Sequence, residues 1–253
     1  MLCIFVSAHV LFADKLDEIK KNGILKAGVK YDFKPFGFIS DNGTVVGFDV
    51  DLIKYIGKKL GVIVRFEQVT SKNRIPMIVS GSVDIVAASM THKKSRDKVM
   101  DFSISYFFDG QAMLVRKDEK GTSYKDFEDR KVGAIQGATS GENFKRVQPK
   151  SKVVYFHEYP QAVLALKKGK IDAITTDLVW CVTQANDSRG KLIALEETIS
   201  YEPYGIGIVQ NESKFRDFVN FAIQDAVIDG SYEKLYIKWF GKKPEKLPEI
   251  WPQ

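Results

Sequence analysis

The chain has 253 residues, 44% of them hydrophobic, which is ordinary for a globular protein and excludes disordered and fibrous classes. Its formal net charge of +6 comes from Lys and Arg interleaved with Asp and Glu, as in Lys117-Asp118-Glu119-Lys120 and Lys242-Lys243-Pro244-Glu245-Lys246. No aromatic-basic motif accompanies the excess, so it reads as a solvated surface and no nucleic-acid partner is expected.

Residues 1–13, MLCIFVSAHVLFA, carry no charge, and Asp14 then opens a charged segment. The expectation is the apolar part of a secretory signal, a remnant without the usual basic start, with the small Ala13 at the cut. A short buried helix is the alternative. No other apolar run approaches the roughly eighteen residues that a bilayer crossing needs. Cys3 lies in the remnant and Cys181 stands alone, so the mature part is expected to have no internal disulfide. His92 and His157 have no Cys, Asp or Glu at metal-ligand spacing, and neither a metal nor another cofactor is expected.

Strand-like and helix-like segments alternate beyond Asp14, the pattern of an α/β protein. Ile24 to Val29 reads as a strand, Tyr31 to Pro35 as a loop and Gly43 to Val46 as a short hairpin strand. Leu52, Ile53, Ile56 and Leu60 form a helical stripe closed by Gly61, and the β-branched run Val62 to Val69 predicts a strand. Gln111 to Arg116 predicts another. A second series starts at Lys131 with VGAIQG, then a helix over Ser140 to Val147, a strand over Val153 to Phe156, a helix over Gln161 to Lys168 and a strand over Asp172 to Thr176. In the tail, Gly205 to Gln210 reads as a short strand. The stripe Phe215, Phe218, Val219, Ala222, Ala226 and Val227 needs a surface to cover, and a last helix runs from Tyr232 to Phe240.

The block from Asn73 to Phe102 joins a strand core, Val83 and Ile85 to Ala88, to Ser89, Thr91 and Arg96. Two hydroxyls and a guanidinium at a strand's carboxyl end can converge on a small anion. Ser89 and Thr91 alternate about Met90, so an extended chain turns both hydroxyls to one side; capping of the next turn is the alternative. Asp177 follows a strand and opens a helix at Leu178, where an aspartate can be an N-cap. Gly137-Ala138-Thr139-Ser140-Gly141-Glu142 also joins a strand to a helix, with Thr139 and Glu142 spaced as a capping box beside N–H groups that suit an anion.

The fourteen residues Gly47-Phe48-Asp49-Val50-Asp51-Leu52-Ile53-Lys54-Tyr55-Ile56-Gly57-Lys58-Lys59-Leu60 resemble the signature of the bacterial extracellular solute-binding proteins of family 3, which serve polar amino-acid ABC transporters. The segment itself reads as structural, an acidic helix start over an apolar face. The resemblance extends from about Leu16 to Pro244 and implies a two-lobe periplasmic-binding-protein fold of type II. Two hinge strands would join the lobes around a ligand cleft. Lobe 1 would take residues 14–113 plus 205–253 and lobe 2 residues 114–204, with crossings at Met113 to Lys117 and Ser200 to Tyr204.

By the same resemblance Arg96 takes the α-carboxylate of an amino acid and Asp177 takes its α-ammonium from the opposite lobe. Ser89, Met90 and Thr91 lie around them, with Ser89 and Thr91 serving ammonium and carboxylate through side chains and backbone, and the Thr139 loop of lobe 2 supplies an additional carboxylate contact. Lys30, Ser71 and Arg74 match positions that face the side chain in aspartate- and glutamate-binding members, where a second carboxylate needs cationic partners. Phe33 is expected against the ligand's aliphatic part and Tyr159 on the second-lobe wall. The implied protein is a monomeric periplasmic receptor, not an enzyme, delivering an L-amino acid, acidic by preference, to an inner-membrane ABC permease. A neutral polar ligand such as glutamine is the alternative. A dehydratase on the same scaffold would need a general acid such as Glu158 with a raised pKa, which nothing in the sequence suggests.

Overall fold

The computed structural model describes residues 14–252, so the expected signal remnant at 1–13 lies outside the described residues. Helix α1 (Lys15–Asn22) starts at Asp14, whose carboxylate accepts the Leu16 N–H at 3.0 Å, and leads into β1 (Ile24–Val29). Strands β2 (Asp32–Phe33), β3 (Gly37–Ile39) and β4 (Val45–Val46) form a small antiparallel sheet where the sequence predicts mostly loop. Helix α2 (Phe48–Leu60) carries the signature motif. At Gly47, φ is 141° and a Cβ would lie 2.0 Å from the Phe36 carbonyl oxygen, so the motif's first residue must be glycine.

Strand β5 (Ile63–Gln68), helix α3 (Arg74–Val79), β6 (Ile85–Val86) and β7 (Asp101–Arg116) follow. The second series is β8 (Lys131–Ile135), α4 (Ser140–Val147), β9 (Lys152–Phe156), α5 (Tyr159–Lys167), β10 (Ala173–Asp177) and α6 (Leu178–Asp187). Strand β11 (Leu192–Ile208) and helices α7 (Ser213–Ile228) and α8 (Ser231–Phe240) close the chain.

The large sheet runs β5-β1-β6-β11-β7-β10-β8-β9. At its centre β7 and β11, 16 and 17 residues long, pair antiparallel and belong to both halves. Parallel β5, β1 and β6 lie on one side, and β10, β8 and β9 on the other. The sequence pattern predicts only the ends of these two long strands, Gln111 to Arg116 and Gly205 to Gln210, and the family resemblance adds the crossing at Ser200 to Tyr204. Their burial alternation breaks where they pass between the halves, and the β7–β11 register shifts between Leu195 and Ser200. Gln111–Val115 of β7 already pair with β10, while Ser200–Tyr204 of β11 lie opposite Gln111–Phe107.

The tail helices find their surface on the first half, where α7 and α8 pack against α2, and α7 also against α1 and β7. Aromatic rings fill that core: Phe36 meets Phe107 edge-on at 4.9 Å and Phe48 meets Phe240 at 5.1 Å between centroids. The second half has its own cluster of Met113, Val115, Phe127, Val132, Phe144 and Ala173.

Candidate functional site

A small, tightly closed polar cavity lies between the two halves of the sheet. Lys30, Ser71, Arg74, Ser89 and Thr91 line it from one side, and Ala138, Thr139, Ser140, Tyr159, Thr176 and Asp177 from the other. These residues end or follow strands β1, β5, β6, β8, β9 and β10, so the cavity gathers strand carboxyl ends from both halves. Eight of the eleven residues singled out in the sequence meet here. The other three do not line the cavity. Met90 is fully buried among Val69, Ile78, Val86 and Met100 and belongs to the core. Phe33 is fully buried beneath Lys30, stacked on Trp180 with centroids 5.8 Å apart and tilted against Tyr159 at 4.6 Å. Arg96 borders a solvent-open groove beside Lys93, Gln136 and Glu142.

The cations of the site are held unequally. Lys30 is 2% exposed, and among the described residues no hydrogen bond or carboxylate holds its Nζ, which sits 3.8 Å from the centroid of the Phe33 ring. Burial, with the charge of Arg74 adding to it, pulls the Lys30 pKa down to about 7 against the opposing pull of Asp177. Arg74 Nη1 donates to the Ala88 and Ser89 carbonyls at 2.6 and 3.3 Å, and Nη2 to the Gly137 carbonyl at 3.5 Å. Arg96 Nη1 donates to the Thr91 carbonyl at 2.6 Å and Nη2 to Gly137 at 3.2 Å. Burial and then Arg74 lower the Arg96 pKa to about 9.

Both guanidinium groups therefore reach across to one carbonyl of the opposite half. That approach requires glycine: at Gly137 φ is 78°, and a Cβ would stand 2.3 Å from the Ser71 carbonyl oxygen. Ser71 Oγ, Ser89 Oγ, Ser140 Oγ and Arg74 Nε, all on lining residues, are buried without a hydrogen-bond partner. Folded proteins keep few such atoms, so four around one cavity mark a surface built for a polar ligand.

Local geometry corrects two expectations. Ser89 is left-handed, with φ 47°, so the hydroxyls of Ser89 and Thr91 share the cavity through a bend and not through strand alternation. Asp49 of the signature motif holds that bend: its Oδ2 accepts the Ser89 N–H at 3.1 Å and its Oδ1 the Tyr106 hydroxyl at 2.8 Å. Burial pushes the Asp49 pKa up to about 6. The capping box is not formed either. Thr139 Oγ1 donates to Glu202 Oε2 of β11 at 3.2 Å, and Glu142 turns to Lys93 at 3.4 Å.

Asp177 makes no N-cap bond with its side chain. It lines the cavity and accepts from Thr176 Oγ1 at 3.3 Å. Burial raises its pKa, with Lys30 opposing. Asp109 of β7 accepts the Val179 N–H at the start of α6 and the Tyr204 hydroxyl, both at 3.3 Å. Burial first, then the charge of Asp177, push Asp109 up to about 8.

Residues 25–242 match the bacterial extracellular solute-binding proteins, family 3. The chain belongs to that family. It is 35% identical over 236 residues to the ABC transporter glutamine-binding protein GlnH of Bacillus subtilis (strain 168), which covers 91% of this chain and 86% of that protein. It is 40% identical over 207 residues to the glutamine-binding protein of Geobacillus stearothermophilus, covering 79% and 78%. Among solved structures, an ancestral arginine-binding protein bound to glutamine superposes with a TM-score of 0.84 at 39% identity, over 87% of this chain and 99% of that one.

As a family 3 solute-binding protein the chain has the two-lobe fold, with the cavity between lobes and β7 and β11 joining them. Several supporting residues escaped the sequence reading. Asp109 lies on a stretch of β7 that the sequence did not predict as strand, and Glu202 and Tyr204 lie inside the expected Ser200 to Tyr204 crossing without having been singled out. Ser140 and Thr176 adjoin chosen residues, and adjacency to Thr139 and Asp177 was the available signal. Asp49 was visible inside the motif, where a buried acid in an otherwise apolar helix face was the cue.

Proposed function

We propose that this protein is the periplasmic receptor of an ABC transporter, a monomer that captures an L-amino acid between its lobes and hands it to an inner-membrane permease. The preferred ligand is acidic, glutamate or aspartate. The observation that carries this preference is Lys30, buried and without an anion, in a cavity where Arg74 is a second cation and Asp177 the lining carboxylate. A zwitterion contributes no net charge to that set, and a side-chain carboxylate balances it. The same two cations disfavour a basic ligand.

In this reading Asp177 takes the α-ammonium and Arg96 the α-carboxylate. A carboxylate draws the Arg96 guanidinium from the two carbonyls it now serves, because the new bonds are charge-assisted. Lys30, with Arg74 behind it, takes the side-chain terminus, and Tyr159 closes the second-lobe wall. In this reading the lobes hinge about Phe108–Gly110 of β7 and Ser200–Tyr204 of β11, and the pairing of Gln111 with β10 supports a first crossing ahead of Met113. A ligand held from both lobes favours the closed form.

A second reading is supported by the glutamine-binding proteins of Bacillus subtilis and Geobacillus stearothermophilus, to which the chain is similar. A carboxamide oxygen can accept from Lys30 without balancing its charge. Calorimetry against the twenty L-amino acids separates the readings. One-to-one binding of glutamate or aspartate, lost in Asp177→Ala, is the expected result. Tightest binding of glutamine favours the second reading, and unchanged affinity in Asp177→Ala overturns the site. Conversion of a titrated ligand would reveal an enzyme; recovery of intact ligand is expected.

A further inference from the structure

Glu202 lies outside the cavity lining yet controls two residues within it. It is 2% exposed on hinge strand β11, and four side chains donate to it. Thr91 and Thr139 donate to Oε2, from lobe 1 and lobe 2 respectively. Asn143 Nδ2 at 2.8 Å and Ser200 Oγ donate to Oε1. Arg146 Nη2 donates to Asn143 Oδ1 at 3.1 Å, which fixes the amide so that its NH2 faces Glu202.

A carboxylate only accepts, whereas a threonine hydroxyl has one proton to give and lone pairs to offer. We infer that Glu202 sets the hydrogen-bond polarity of the cleft: by taking the single proton of Thr91 and of Thr139, it leaves both hydroxyls as acceptors that read the ligand's ammonium and not its carboxylate. The count agrees. An α-ammonium has three N–H groups, and Asp177, Thr91 and Thr139 supply an acceptor each from the same cavity. Neighbouring protons run the same way, since Tyr159 and Thr176 share a hydrogen bond at 3.0 Å and Thr176 donates onward to Asp177. Glu202 is thus a positioning residue, and because its threonine donors come from different lobes, the polarity is complete only when the cleft is closed.

The inference rests on the amino-acid receptor reading and is tested with L-glutamate against glutarate, which lacks only the α-ammonium. Competition calorimetry on Thr139→Val is expected to show L-glutamate weakened about tenfold and glutarate within about twofold of wild type. Thr139→Ser, which keeps the hydroxyl, is expected to recover the difference. In Glu202→Gln the amide oxygen stays with Asn143 and Ser200, so its NH2 turns toward the threonines and reverses their protons. Glutamate should weaken and glutarate should not. Equal losses for glutamate and glutarate in Thr139→Val overturn the inference while leaving the receptor reading intact. Failure of wild type to bind any amino acid overturns both.

Discussion

A lysine buried above an aromatic ring, with no carboxylate in contact, is costly unless a ligand anion completes it. The consequence for pH has a definite sign. Burial lowers the Lys30 pKa to about 7, so above that pH the ligand-free protein has largely lost the proton, and glutamate must restore it in order to pair. The ratio of glutamate to glutamine affinity is therefore expected to fall as pH rises from 7 to 9. Both ligands share the same ammonium and α-carboxylate, so the titrations of Asp109 and Asp177 cancel in that ratio. Affinities measured at three pH values check it, and a ratio independent of pH would place Lys30 outside ligand recognition.

At this scale the sequence was informative where a family motif fixed a charged side chain's place. The resemblance picked out Lys30, Arg74 and Asp177, and all three line the cavity as buried charged groups of the kind a fold keeps only for a reason. It was uninformative where direction mattered. The resemblance puts Met90 beside the ligand with Ser89 and Thr91, but the bend at Ser89 leaves it in the core. Phe33 was chosen for the ligand's aliphatic part, yet Lys30 lies between it and the cavity.

Among elements, the loop between β8 and α4 and the two long strands decide how the lobes meet. Gly137→Ala puts a methyl into the Ser71 carbonyl and into a backbone conformation that alanine resists. Ligand affinity is expected to fall more than tenfold, with melting lowered by only a few degrees. Unchanged affinity would mean that this contact is not needed for capture. On β7, Asp109 has a folded-state pKa raised to about 8, so the folded protein holds a proton that the unfolded chain releases. Its contribution therefore makes stability fall as pH rises from about 4 to about 8. Asp109→Asn removes that dependence, and calorimetric melts should show a flatter Tm curve between pH 5 and 8 than wild type. A curve of unchanged slope would contradict the assignment. Most helices were legible because each has a stripe and a stop, as in α2 ending at Gly61. Strands β7 and β11 were half hidden because a strand shared by two cores changes its buried face along its length, which period-two alternation cannot reveal.

For the whole molecule, two lobes are joined by a pair of antiparallel strands, and Phe33 of the first packs across the cleft on Tyr159 and Trp180 of the second. Lys34–Asp187 and Lys93–Glu142 are exposed ion pairs of little worth, whereas Glu202, the carbonyl of Gly137 and the Tyr159 N–H bond to Asp32 at 3.2 Å are less exposed links among the described residues. Ligand is thus expected to supply much of the closing free energy, and small-angle scattering should show the radius of gyration falling when a bound amino acid is added. The most direct test is titration calorimetry of wild type and Lys30→Met with L-glutamate and L-glutamine. One-to-one binding by wild type, with glutamate weakened at least tenfold more than glutamine by the substitution, is the expected result. Equal losses for the two ligands, or binding confined to basic amino acids, would contradict a receptor built around a buried cation.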